Sequence, residues 1–114
     1  MKGGDLIITS LPQADGAVKN RPALALCPML PFGDLLVCGI STQLHQEVTG
    51  FDEIVASDSP DFSATGLSAP SLIRLGFVST VPLNAIKGRI GAIDPVRYRR
   101  LVARFGKYLA DIAQ

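Results

Sequence analysis

Two apolar runs, Pro22–Met29 (PALALCPM) and Asp34–Ile40 (DLLVCGI), stand four residues apart, and no other feature constrains the fold of this chain as much. The segment between them, Leu30-Pro31-Phe32-Gly33, is turn chemistry, so the runs pair as a hairpin. Strands this continuously apolar have no polar face to offer water, and both faces must be covered. With 114 residues, 47% of them apolar, that calls for a small curled sheet rather than a layered α/β fold.

Further short strands surround the hairpin. Asp5–Ser10 (DLIITS) is β-branched and free of proline, and Leu11–Arg21 carries Pro12, Asp15, Gly16 and Asn20 as loop residues. Asp52–Ala56 is a weaker strand, and the polar, Pro- and Gly-rich stretch Ser57–Ala69 reads as a long surface loop. Strand signals return at Ser71–Leu75 and Phe77–Val81, around Gly76. A turn or single helical turn follows at Pro82–Ala85, then a strand over Lys87–Ile93.

After Ile93 the apolar period changes. Tyr98, Leu101, Val102, Phe105, Tyr108, Leu109 and Ile112 fall on one face of a helix over about 95–112, with arginines opposite. Asp94 is its N-cap and Pro95 its first residue. Gly106 within it marks a close packing contact. The expected fold class is mainly β with a C-terminal α-helix: a small SH3-like barrel, one domain spanning residues 1–114.

Composition narrows the chemistry. No apolar run approaches the ~20 residues that span a bilayer, and no secretory leader is evident, so the chain reads as soluble, cytoplasmic and without a membrane role. Two cysteines, Cys27 and Cys38, cannot make a stapled mini-protein or a four-cysteine zinc site. They sit on opposite arms of the hairpin and read as small buried hydrophobes. His45 is the only histidine, and there is no phosphate-binding glycine loop, HExxH or CxxC. No metal or cofactor is expected. Net charge is +1, but residues 1–72 hold three cations against eight acids, while residues 73–114 hold eight cations against two. That basic final third is either a polyanion-binding face or the wet side of the helix.

What remains is a polar cluster at one end of the apolar hairpin. Lys19-Asn20-Arg21-Pro22 opens its first strand, and Ser41-Thr42-Gln43 closes its second. Counting outward from the turn places Arg21 beside the backbone around Ser41 and Thr42. A guanidinium beside hydroxyls at a barrel rim suits a phosphate, to which arginine donates two parallel hydrogen bonds. Arginine before a strand and hydroxyls at a strand end also serve as surface charge and turn partners.

Gly4-Asp5-Leu6-Ile7, Asn20-Arg21-Pro22-Ala23-Leu24 and Leu36-Val37-Cys38-Gly39-Ile40-Ser41-Thr42-Gln43, in that order, resemble the PemK/MazF toxins of type II toxin–antitoxin systems. Gly66–Leu75 and Ile86–Gly91 extend the likeness over residues 4–110. The resemblance implies an SH3-like barrel, a homodimer and a metal-independent endoribonuclease that cuts single-stranded mRNA at selected sequences. It also implies a cognate antitoxin partner. The family's arginine of the Arg-Pro pair falls on Arg21, and its strand-end threonine on Ser41, with Thr42 adjacent. These three are the candidate catalytic residues; Lys19, Asn20, Gln43 and His45 are candidate substrate-binding residues. Three departures stand out: the loop before Arg21 is shorter than in many relatives, Asp15-Gly16-Ala17-Val18 stands where many of them carry Ser-Glu-Gln, and Ser41 replaces threonine.

The alternative is a catalytically silent barrel of the same fold that binds RNA or a partner protein. An adaptor for proline-rich peptides needs exposed aromatics, yet aromatics are 6% of the chain. Base stacking on single-stranded RNA would fall to Phe32, Phe51, Phe62 or Phe77, since Tyr98, Phe105 and Tyr108 belong to the helix face.

Overall fold

The computed structural model describes residues 1–12 and 15–114. Six strands form one antiparallel sheet: β1 (Asp5–Pro12), β2 (Val18–Pro28), β3 (Leu35–Ser41), β4 (Glu53–Val55), β5 (Ser71–Val81) and β6 (Ile86–Ala92). Their order across the sheet is β4-β5-β3-β2-β1-β6. The sheet curls into a half-barrel with β4 and β6 at its edges. A short helix α1 (Phe62–Thr65) and the C-terminal helix α2 (Pro95–Ile112) complete the fold. Among the described residues no helix is long and apolar enough to cross a membrane. The expected fold class, mainly β with a C-terminal helix, is the one observed.

The β2–β3 hairpin lies at the centre, and both of its faces are covered. Leu24, Leu26 and Cys38 point into a core with Leu6, Ile73, Leu75 and Leu101. The alternating residues Ala23, Ala25, Leu35 and Val37 point into a second core with Ile7, Leu11 and Val81. A period of two on strands buried on both sides gives two cores from one sheet. Burial pushes the Cys38 thiol up to about 12, with the Asp52 carboxylate adding to the rise. Cys27 lies half-buried, its thiol 3.7 Å from the Met29 sulfur, and both cysteines are free.

Several local expectations are corrected. Leu11–Arg21 is not one loop: β1 runs to Pro12 and β2 begins at Val18, so Lys19, Asn20 and Arg21 are strand residues. Cross-strand pairing, Leu11 to Lys19 and Ser10 to Asn20, outweighs their turn-like composition. Residues 13–14 of that expected loop lie outside the described residues. Ser57–Ala69 is not all surface loop either. It contains α1, with Asp61 and Thr65 buried, and ends at Gly66 with φ +73°. A Cβ at Gly91 would overlap the α1 backbone at Ala64 and Thr65, so glycine there lets α1 close over β6.

Helix α2 occupies the expected residues, and Asp94 caps it by accepting from the Val96 and Arg97 N–H groups at 2.8 and 3.4 Å. Its apolar face is only partly used. Leu101 is buried, and Tyr98 and Phe105 are half-buried, but Val102, Tyr108, Leu109 and Ile112 are exposed. No side chain faces Gly106, so the close contact expected there is absent.

Three of the four arginines of α2, Arg97, Arg100 and Arg104, are paired with carboxylates, while Arg99 stays exposed. Glu53 accepts from Arg97 and Arg100 and ion-pairs with Arg104, and Asp61 accepts from Arg97 at 2.9 Å. Burial alone would raise the Glu53 carboxyl, but the Arg100 hydrogen bond and the three guanidinium charges hold it below its ordinary value. Asp61 is likewise held low against burial, by Arg97 and the Asp94 N–H. The acids of the first half clamp the cations of the second, which is why the two halves carry opposite charge.

Candidate functional site

On the face of the second core, the side chains of Ala23 and Ala25 on β2 and of Leu35 and Val37 on β3 alternate inward. Pairing places Ala23 opposite Gly39. Two residues further out, on the same face, come Arg21 and Ser41. The apolar face therefore ends in a guanidinium and a hydroxyl, and there the half-barrel opens into a cleft of about 540 Å³.

A bulge in β5 completes the cleft. Cys38 pairs with Val78, but its neighbour Gly39 pairs with Arg74, leaving residues 75–77 surplus on β5. Bulges of this kind re-aim side chains. The Leu75 N–H, freed from the ladder, donates to the buried Asp52 carboxylate at 3.1 Å, and the other Asp52 oxygen accepts from the Val48 N–H at 2.9 Å. Phe77 turns over Gly39, where an added Cβ would stand 2.7 Å from the ring. The Arg74 guanidinium sits 5.7 Å from the Phe77 ring centre, within cation–π range.

Arg21, Ser41, Thr42 and Gln43 all line this cleft, together with Leu11, Gly39, Gln46, Arg74 and Phe77. Ser41 is half-buried, and its Oγ accepts from the Gln43 N–H at 3.0 Å, leaving the hydroxyl proton to donate; Thr42 is exposed. The other expected residues stand apart. Lys19 is exposed on β2, and the Asn20 amide oxygen accepts from the Ser10 hydroxyl at 2.9 Å. His45 lies exposed in the 3-10 turn Leu44–Gln46, whose Gln46 reaches the cleft instead.

The sequence offers Phe77 only as one of four rings able to stack on a base, and it gives no place in the site to Arg74 or Gln46. An arginine interrupting the apolar run Ser71-Leu72-Ile73-Arg74-Leu75 was the available signal. A charge within a buried strand needs a polar destination.

Among the described residues no ion pair involves Arg21 or Arg74, whereas Arg89, Arg97, Arg100 and Arg104 all pair with carboxylates. The cleft lining holds two guanidinium groups, two hydroxyls and two side-chain amides, and no carboxylate, thiol or imidazole. Such a wall is built to receive negative charge. Among the described residues no three His, Cys, Asp or Glu side chains gather closely enough to hold a metal ion. No protein-family model matches the chain, and no curated protein is found similar to it.

Proposed function

We propose that the chain is a toxin-type endoribonuclease of the PemK/MazF kind, which binds single-stranded RNA in this cleft and cleaves it without a metal. The observation that carries the reading is the pair Arg21 and Arg74, both free of ion pairs among the described residues, in one cleft with Ser41 and Thr42. In the proposed reaction the ribose 2′-OH gives its proton to water and bonds to the adjacent phosphorus, while the bond from phosphorus to the 5′-oxygen of the next nucleotide breaks and that oxygen takes a proton from water. The products are a 2′,3′-cyclic phosphate and a 5′-hydroxyl. Charge accumulates on the non-bridging oxygens, and fixed donors aimed at that charge lower the barrier most. Arg21 donates to these oxygens and polarises the leaving oxygen. Ser41 donates its one hydroxyl proton, the Gln43 N–H occupying one of the two lone pairs of its oxygen, and Arg74 supplies a second fixed charge in the same cleft. On this reading the chain acts in the cytoplasm, pairs with a second copy and is silenced by a cognate antitoxin.

The test is incubation of a long single-stranded RNA with the purified protein in EDTA, followed by sequencing of the ends. Discrete cuts bearing cyclic phosphates are expected. Intact RNA with a folded protein would overturn cleavage and leave a barrel that binds without cutting.

A further inference from the structure

Of the four phenylalanines free of the helix face, three are otherwise placed. Phe32 is 85% exposed at the hairpin tip, Phe51 packs on Tyr108 with ring centres 5.0 Å apart, and Phe62 packs against the first core. Phe77 alone of these lines the cleft. The fold makes specific provision for it there: the β5 bulge turns it out of register, Gly39 vacates the space beneath it, and Arg74 lies over the ring. With Gly39 beneath the ring and the guanidinium above it, the outer face of the Arg74 guanidinium, backed by the ring, is a surface of the kind on which an unpaired base stacks. Across the same cleft, Gln43 and Gln46 carry amides able both to donate to and to accept from a base edge.

We infer that Phe77 and Arg74 form the seat of one unpaired nucleobase next to the phosphate held at Arg21, with Gln43 and Gln46 hydrogen-bonding to its edge. The inference rests on the RNA reading above and adds the position at which that RNA is read. A base seated here is splayed out of any helix, so duplex RNA is refused. Stacking holds it with little regard to identity, and the two amides supply the selectivity. Phe77 also packs against the second core, so the seat is rigid before RNA arrives.

The test uses a labelled 12-nucleotide RNA spanning a mapped cut, with a 2′-deoxy sugar at the cleaved position so that it binds without being cut. Binding by anisotropy is compared for wild type, Phe77→Leu, Phe77→Tyr and Arg21→Ala. Each is also tested on RNAs made abasic at one position in turn. Phe77→Leu keeps apolar bulk for the core and removes the ring, and it is expected to weaken binding about 5- to 150-fold. Phe77→Tyr is expected to bind as wild type. At one position, removing the base and removing the ring should cost no more together than either alone.

Losses that add at every position, with Arg21→Ala still impaired, would overturn the base seat and leave the phosphate site standing. A wild type that neither binds nor cuts any RNA overturns both. Free 5′-mononucleotides displacing the RNA at micromolar concentration would overturn RNA as the source of the base. Should Phe77→Leu fail to fold, 2-aminopurine at the sensitive position gives the readout on wild type. Quenching on binding is expected, and unchanged or brighter emission would overturn the seat.

Discussion

Arg21 is exposed and contributes no ion pair to the fold, so its removal separates chemistry from stability. Arg21→Ala is expected to keep the thermal midpoint within the small range typical of surface substitutions, while cleavage falls about 10²- to 10³-fold. Gly39 is the opposite kind of residue. A methyl group there meets the Phe77 ring at 2.7 Å, at a position that is itself buried. Gly39→Ala is expected to cost about 1–3 kcal/mol in urea unfolding and to displace the ring from the cleft. Asp52 holds the bulge that carries the same ring, through the Leu75 N–H. Asp52→Ala strands the buried Leu75 N–H and is expected to cost about 1–3 kcal/mol, again by urea unfolding.

Elements legible from local pattern were read correctly: the central hairpin, because its apolar runs and turn adjoin in sequence, and α2, because Asp94-Pro95 caps a clear helical period. What escaped depends on contacts distant in sequence. The β5 bulge answers to Gly39 and Asp52, and α1 is fixed where Gly91 lets it meet β6. The exposed last turns of α2 escaped for a related reason, since periodicity marks an apolar face but not how far a partner extends beneath it. The anchoring of α2 carries a pH signature. Glu53 and Asp61 are held below their ordinary values of 4.5 and 3.8, so as pH falls the unfolded chain takes up protons first. Their contribution is complete above the ordinary values and is lost as pH drops through the lower folded ones. The thermal midpoint is therefore expected to hold level from pH 7 to about 5 and to fall below about 4.5. Glu53→Gln should lower it at pH 7 by the equivalent of ~1–2 kcal/mol, between exposed and buried pairs, and flatten the acid limb.

For the whole molecule, part of the acid–base asymmetry between the halves of the sequence is consumed in folding. Asp5 takes Arg89, and Glu53 and Asp61 take Arg97, Arg100 and Arg104, while Asp111 takes Lys107 within the second half. What stays unpaired among the described cations is Lys19, Arg21, Arg74, Lys87 and Arg99, and two of these five share the cleft. Sequence arithmetic could bring Arg21 to Ser41 because both lie on the hairpin; it could not bring Arg74, which arrives through the bulge. The measurement that bears most directly on the account is the rate of RNA cleavage in EDTA by wild type, Arg21→Ala, Arg74→Ala and Arg99→Ala. Arg99 is an exposed, unpaired cation on α2, away from the cleft, and controls for general attraction to RNA. Losses of about 100-fold or more in both cleft variants, with Arg99→Ala cutting as wild type does, are expected. Equal rates in all four proteins would contradict the assignment of the cleft as the place where RNA is cut.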